Sequence, residues 1–106
     1  FFGQISKSVV TTARAQMDAV DKAVQAYRMD TGRYPTAAQG LKVLSEAPSD
    51  EPRWRGPYLQ AAVPADPWGM PYQYRSPGNA GKEYELMSFG RDRVAGGTGD
   101  DADIVK

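Results

Sequence analysis

The sequence predicts an α+β fold in which a long N-terminal helix packs on a small C-terminal antiparallel β-sheet. Three observations support this prediction: an apolar stripe with helical spacing opens the chain, a loop rich in proline and tryptophan follows it, and short alternating segments close it. A length of 106 residues accommodates one domain with a modest core. We therefore expect a single domain over residues 1–106.

The N-terminal segment has the pattern of an amphipathic helix. Between Phe2 and Tyr27, apolar residues recur every three or four positions, which places them on one helical face. Asp30-Thr31-Gly32 ends the pattern, because glycine suits the left-handed position after a helix. We expect the stripe from Met17 onward to lie in the core, and residues 1–10 to protrude or to contact another molecule. The stripe consists of Phe2, Ile5, Val9, Ala13, Met17, Val20, Val24 and Tyr27.

The middle of the chain combines a short helix with an irregular loop. Thr36 is a suitable N-cap for the short helix, which Pro48 closes. Six prolines and two tryptophans fall between Pro48 and Pro71, both ends included, so an ordered loop packed by its own aromatic side chains is predicted there. Trp54 and Trp68 are expected to be buried anchors of this loop rather than platforms for carbohydrate.

Two alternating segments predict a β-hairpin near the C-terminus. Residues 72–75 and 83–89 form its strands, and the glycine-containing stretch between them forms its loop. Residues 102–106 are a candidate third strand. Glu83 and Glu85 alternate along one strand, and we expect them on a solvent-exposed face rather than in a catalytic carboxylate pair.

The composition excludes several classes of function. Thirteen basic and thirteen acidic residues cancel, so there is no net positive charge to attract nucleic acid or an anionic membrane. Cysteine and histidine are absent, which excludes disulfides, thiolate metal sites and catalysis that uses a histidine base. Gly81-Lys82 lacks the flanking residues of a phosphate-binding P-loop. No catalytic residue is predicted, and we do not expect an enzyme.

The start of the chain is abrupt. It begins with Phe1-Phe2-Gly3 rather than methionine and enters the helical pattern at once. No stretch approaches the roughly 20 apolar residues that cross a bilayer. This start is expected of a piece from which an N-terminal membrane anchor is missing.

The most informative segment is the acidic, glycine-rich stretch before the C-terminus. Three aspartates and no basic residue occur between Gly96 and Asp103, and Asp92 lies just upstream. Clustered carboxylates repel one another unless water or a cation separates them. Calcium prefers about six to eight oxygen ligands, and a glycine-rich turn can direct carbonyl oxygens inward. The spacing does not match an EF-hand, so the residues alone leave a calcium site and a flexible surface turn both open.

Six motifs in order along the chain resemble those of the major pseudopilins of bacterial type II secretion systems. They extend over nearly the whole chain, and it is their common register that makes the resemblance specific. The motifs are Thr31-Gly32-Arg33-Tyr34-Pro35-Thr36, Gln39-Gly40-Leu41, Trp54-Arg55-Gly56-Pro57-Tyr58-Leu59, Asp66-Pro67-Trp68-Gly69-Met70-Pro71-Tyr72-Gln73-Tyr74, Ser88-Phe89-Gly90-Arg91-Asp92, and the stretch from Gly96 to Ile104.

The resemblance implies a type IV pilin-like fold and a structural role. Pseudopilins assemble into a periplasmic filament, the pseudopilus, which promotes protein export. An apolar N-terminal segment anchors the full-length protein in the inner membrane, after a prepilin peptidase has removed a leader and methylated the new N-terminus. The implied partners are copies of the same chain, other pseudopilins and components of the secretion system.

The resemblance also implies a calcium site in the C-terminal loop. On matching positions, the carboxylates of Asp92, Asp101 and Asp103 are the side-chain ligands, and the carbonyl groups of Phe89 and Val94 lie beside them. Calcium is the one cofactor expected. The alternatives are a type IV pilin or minor pseudopilin and, from another class, a calcium-dependent carbohydrate-binding module that uses the two tryptophans.

Three features depart from the family pattern. Met70 stands where asparagine is usual, which affects the turn before Pro71, and Arg93 stands where glycine is usual, at the entrance of the acidic segment. The chain also lacks the aromatic tail that is common after Ile104. In addition, Asp100 provides a carboxylate that competes with its neighbour as a ligand.

Overall fold

The computed structural model describes the backbone of residues 2–106 and the side chains from residue 8 onward, apart from that of residue 100. The strands form one antiparallel sheet in the order β1-β2-β3, and the predicted α+β fold is confirmed. The predicted strands are present but shorter. The elements are α1 (Phe2–Thr31), a 3₁₀ helix (Gly40–Leu44), β1 (Gln73–Arg75), β2 (Glu85–Ser88), a 3₁₀ turn (Gly99–Asp101) and β3 (Ile104–Val105).

Helix α1 supplies the largest share of the core. Its predicted stripe is buried from Ala13 to Tyr27, which confirms the core prediction from Met17 onward. Gly32 has a φ of +80° and its N–H donates to the carbonyl oxygen of Arg28 at 2.8 Å, so the helix ends as predicted. The stripe residues before position 8 lie outside the described side chains. No helix in the described part of the chain is both long and apolar enough to cross a membrane.

Thr36 caps the turn that leads into the 3₁₀ helix. Its hydroxyl accepts from the N–H of Gln39 at 3.1 Å, and the side-chain oxygen of Gln39 accepts from the N–H of Thr36 at 3.0 Å. This reciprocal pair is a capping box. The 3₁₀ helix begins at Gly40, which has a φ of +62°. A residue in this left-handed conformation cannot continue a regular α-helix, so the turn that Thr36 caps does not extend into one.

Aromatic side chains order the proline-rich loop. The Nε1–H of Trp54 donates to the carbonyl oxygen of Val43 at 2.6 Å. The Trp54 ring packs edge-on against Tyr58 at 5.7 Å between centroids, and Tyr58 packs edge-on against Tyr27 at 5.9 Å. Trp68 is half-buried against the main core. Both tryptophans therefore anchor the loop as predicted, but each is half-buried rather than buried.

Tyrosine side chains connect the hairpin to the helical layer. The hydroxyl of Tyr72 donates to Gln16, and that of Tyr84 donates to Asp21, so both reach α1. Tyr74 donates to the carbonyl oxygen of Pro35 at 2.7 Å. Removal from water raises the pKa of Tyr72 and that of Tyr74 to about 12.

The prediction for Glu85 is wrong. Glu83 is exposed and precedes β2, whereas Glu85 is only 5% exposed within that central strand. The hairpin loop folds back over the start of β2, since a Cβ on Gly78 would lie 2.8 Å from the carbonyl group of Tyr84. The Glu85 carboxylate accepts from the side-chain amide of Asn79 at 3.4 Å. The two glutamates therefore do not share a solvated face.

Candidate functional site

The candidate site is the connection between β2 and β3, which we call the acidic loop (residues 89–103). Ser88 and Ile104 are partners in the antiparallel sheet, so the loop leaves and re-enters the sheet at one point. All five predicted ligand positions lie in this loop. The sheet therefore fixes the two ends of the loop, while its interior depends on its own contacts.

Two glycines allow the loop to fold tightly on itself. A Cβ on Gly90 would lie 2.7 Å from the carbonyl oxygen of Ala102. The outgoing limb of the loop (residues 89–92) and its returning limb (residues 101–103) therefore lie against each other at this point. A Cβ on Gly97 would lie 2.4 Å from the carbonyl oxygen of Asp101 and 3.1 Å from Oδ2 of Asp92. Both glycines have a φ of +83°, a conformation that side chains disfavour. A side chain at Gly90 or Gly97 would therefore prevent the backbone at these positions from lying so close to residues 101 and 102.

Asp92 and Asp103 hold the backbone at the tip of the loop (residues 94–96). Oδ1 of Asp92 accepts from the N–H of Val94 at 3.1 Å, and Oδ2 of Asp103 accepts from the N–H of Gly96 at 3.0 Å. The second oxygen of Asp103, Oδ1, is buried and has no hydrogen-bond partner within the described residues. A buried carboxylate oxygen requires a donor or a cation to offset its desolvation.

Asp101 forms an ion pair near the start of the loop. Its Oδ1 accepts from Nε of Arg91 at 2.8 Å. This hydrogen bond lowers the pKa of the Asp101 carboxyl, because the guanidinium favours the charged form. The side chain stays partly exposed, and solvent screens such a pair.

The predicted ligands are thus only partly brought together. Asp92 and Asp103 bind the same short stretch of backbone, while the Asp101 carboxylate pairs with Arg91. Phe89 is half-buried at the start of the loop, and Val94 is exposed at its tip. Within the described residues, no three acidic side chains form a group that could hold a metal ion. The ligand set therefore remains a prediction.

Sequence reasoning missed Asp66, which connects the proline-rich loop to the start of the acidic loop. The residue is 4% exposed. Its Oδ1 accepts from the N–H groups of Trp68 and Met70, and its Oδ2 accepts from the hydroxyl of Ser88. The Asp-Pro sequence followed by Gly69 signals a turn with an aspartate at its first position. Nothing in the local sequence indicates the contact with Ser88.

Comparison with known proteins gives concordant results. The family model described as type II secretion system (T2SS), protein G, matches residues 1–106. Type II secretion system core protein G of Pseudomonas aeruginosa is 39% identical over 98 residues, which are 90% of this chain and 68% of that protein. The protein of the same name from Aeromonas hydrophila is 40% identical over 103 residues, which are 93% of this chain and 70% of that protein.

A solved structure shares the fold. The crystal structure of the major pseudopilin from the type 2 secretion system of enterohaemorrhagic Escherichia coli matches with a TM-score of 0.79. The sequences are 32% identical, and the match covers 99% of this chain and 91% of that one. The similarity thus includes α1, the sheet and the acidic loop.

Proposed function

Because the chain belongs to the type II secretion system protein G family, we propose that it assembles into the pseudopilus, a periplasmic filament that promotes protein export. The family is one of structural secretion components, the major pseudopilins, and not of enzymes. The extent of two matches carries the proposal: the family model spans residues 1–106, and the match to a solved major pseudopilin covers 99% of the chain.

The proposed setting and partners follow from the family. The domain faces the periplasm, and an apolar, N-methylated segment of the full-length protein lies in the inner membrane. Copies of the chain are the main partners, together with other pseudopilins. The match to a major pseudopilin disfavours a type IV pilin or a minor pseudopilin. The packing of Trp54 and Trp68 disfavours a carbohydrate-binding module, because such a module needs exposed ring faces.

Cross-linking in cells tests the filament. The chain has no cysteine, so full-length protein with cysteines at two exposed positions, Ala19 on α1 and Ser49 in the loop, can be treated with a bifunctional thiol reagent. An open, head-to-tail assembly joins two different surfaces and should produce a ladder of multimers. A single dimer band, in cells whose protein export the variant restores, would contradict the proposal. The variant with Ala19→Cys alone is the control.

We further propose that calcium stabilises the acidic loop. Asp92 and Asp103 are the carboxylate ligands best supported, because both already hold the loop tip and the buried Oδ1 of Asp103 has no partner among the described residues. The carbonyl groups of Phe89 and Val94 complete the proposed set together with Asp101, whose Oδ1 also pairs with Arg91. A bound cation offsets the repulsion among these carboxylates.

Thermal unfolding tests the calcium proposal. Calcium at a hundredfold excess over Kd should stabilise the chain by about 2.7 kcal/mol if it binds the native state alone. Magnesium should act weakly, because it prefers a smaller octahedral site and retains its water. An unchanged melting temperature in calcium and in chelator would contradict the calcium site and leave the filament proposal standing.

A further inference from the structure

We propose that Asp66 is a positioning residue for the acidic loop, which acts through Ser88 to fix where the loop leaves the sheet and thereby tunes its affinity for calcium. This inference rests on the proposed calcium site. None of the predicted ligands is involved, since Asp66 lies in the proline-rich loop. Its effect on the ion is therefore expected to be indirect.

Asp66 is itself held firmly. Its carboxylate accepts three hydrogen bonds: from the N–H of Trp68 at 3.0 Å, from the N–H of Met70 at 2.9 Å and from the hydroxyl of Ser88 at 2.7 Å. Its own N–H donates to the carbonyl oxygen of Met70 at 2.7 Å, and its carbonyl oxygen accepts from the N–H of Gly69 at 2.9 Å. A buried carboxylate with this many partners has one orientation, so Oδ2 is a fixed acceptor.

Ser88 passes this orientation to the loop. It is fully buried at the end of β2. An ionised carboxylate only accepts, so the proton of the Ser88 hydroxyl is committed to Asp66. The lone pairs of the hydroxyl then face other donors, and the N–H of Gly90 donates to one of them at 3.2 Å. Gly90 is thus fixed by two successive hydrogen bonds that begin at Asp66.

Gly90 is the point at which this constraint reaches the returning limb. A Cβ there would lie 2.7 Å from the carbonyl oxygen of Ala102 and 3.3 Å from that of Asp101. A shift of Gly90 must therefore either displace both residues or break this close approach. The turn after Asp66 also approaches the loop at a second point, where a Cβ on Gly69 would lie 3.9 Å from the Arg93 guanidinium. The entry of the loop and the segment that carries Asp101 and Asp103 therefore move together.

Ser88→Ala removes the hydroxyl that links Asp66 to Gly90 and leaves the turn around Asp66 in place. The matched control is Ser76→Ala at the opposite end of the hairpin, where the hydroxyl donates to the carbonyl oxygen of Glu83 over a long distance, 3.5 Å, and interacts with Tyr74 rather than with the acidic loop. Asp66→Asn is a second test variant. It keeps the shape of the side chain but places an amide donor against Ser88. Calcium affinity by titration calorimetry and amide exchange in chelator are measured for all four proteins.

We expect Ser88→Ala to weaken calcium binding by about 10-fold, the lower end of the loss that follows removal of a direct partner of a metal ligand, because Ser88 bonds to Asp66 and Gly90 and not to a proposed ligand. Asp66→Asn should shift affinity in the same direction. Ser76→Ala should leave it within about twofold of the parent chain, because a surface contact of this kind contributes little. In chelator, amides of residues 90–103 should exchange faster in Ser88→Ala than in Ser76→Ala. A purely structural role would lower the melting temperature and leave affinity unchanged.

The outcomes separate this inference from the calcium proposal. If the parent chain binds calcium and Ser88→Ala binds it equally well, the positioning role is wrong and the calcium site stands. If the parent chain binds no calcium, the calcium site and any effect of Asp66 on affinity both fall. Exchange then decides the remainder: faster exchange in residues 90–103 upholds the positioning of the loop, and unchanged exchange overturns it.

Discussion

The helix–hairpin core and the acidic loop are held by different forces. In the core, α1 and β2 bury apolar side chains such as Tyr27 and Leu86 completely, and tyrosine hydroxyls connect segments far apart in sequence. In the acidic loop, residues 91–99 are all exposed. Hydrogen bonds that the Asp92 and Asp103 carboxylates accept, a few backbone hydrogen bonds of tight turns and an ion pair of Asp101 hold it.

This difference determines what each region responds to. Burial of apolar area depends little on ions, so the contribution of each core side chain to stability should be the same with and without calcium. A loop that depends on carboxylates and glycine conformations gains little from burial, so it should respond to a cation. The core therefore serves as an internal reference against which any effect on the loop can be measured.

The largest effect is expected in the core. Leu86→Ala removes a fully buried side chain from the central strand and should cost about 2 to 5 kcal/mol in the free energy of unfolding. The loss should be equal in calcium and in chelator, as measured by urea unfolding. Val105→Ala, at a position that is 43% exposed in β3, is the control and should change stability by less than about 0.5 kcal/mol. A calcium-dependent loss in Leu86→Ala would contradict the separation of the two regions.

The next effect is expected in the acidic loop. Asp103→Ala should abolish most of the stabilisation by calcium, about 2.7 kcal/mol at a hundredfold excess over the parental Kd. In chelator it should lose only its hydrogen bond to the N–H of Gly96. Asp50→Ala, an exposed aspartate outside the loop, is the matched control. If thermal unfolding shows the same calcium response in both variants, Asp103 is not a ligand.

Glu85 provides a smaller test, because it is buried although the alternation of Glu83 and Glu85 along the strand predicted an exposed face. Glu85→Ala removes a buried side chain and its contact with Asn79, which should cost about 1 kcal/mol. Glu83→Ala should be nearly silent, because Glu83 is exposed. Chemical unfolding of both variants measures the difference, which should not depend on calcium. Equal losses would place Glu85 back at the surface.

The smallest effect near neutral pH concerns the tyrosines. The pKa of Tyr72 and that of Tyr74 are raised to about 12 in the folded chain, above the value of about 10 that a tyrosine has in an unfolded chain. Their contribution to stability should be complete below pH of about 10 and should be lost as the pH rises to about 12. Absorbance titration of phenolate, with and without calcium, checks this. If Tyr72 and Tyr74 titrate with the ordinary tyrosine pKa in the folded chain, the burial assigned to them is wrong.

Much of the fold could be predicted because local patterns encode it. The spacing from Ala13 to Tyr27 indicates which helical face is buried, and Thr36 with Gln39 marks a cap within four residues. Glu85 was mispredicted because its burial comes from a loop that folds back over the strand, which alternation does not contain. Asp66 was missed because its partner Ser88 lies 22 residues away.

The candidate site could be placed in the right loop, but its geometry could not be predicted. Carboxylate clustering identifies residues 92–103 as a place where charge must be offset. It does not indicate side-chain direction, and the Asp101 carboxylate is in fact paired with the guanidinium of Arg91. Spacing alone therefore cannot distinguish a ligand from half of a surface ion pair.

Amide hydrogen exchange with and without calcium tests the central claim most directly, because it reports on both regions in one experiment. Addition of calcium should slow exchange in residues 89–103 by the factor that corresponds to its binding free energy, about 100-fold at a hundredfold excess over Kd. Exchange in β2 and in the buried part of α1 should remain unchanged under conditions in which local opening dominates. Under the same conditions, equal slowing in the core and the loop, or no slowing in the loop, would contradict a loop that calcium orders on a core whose packing calcium does not change.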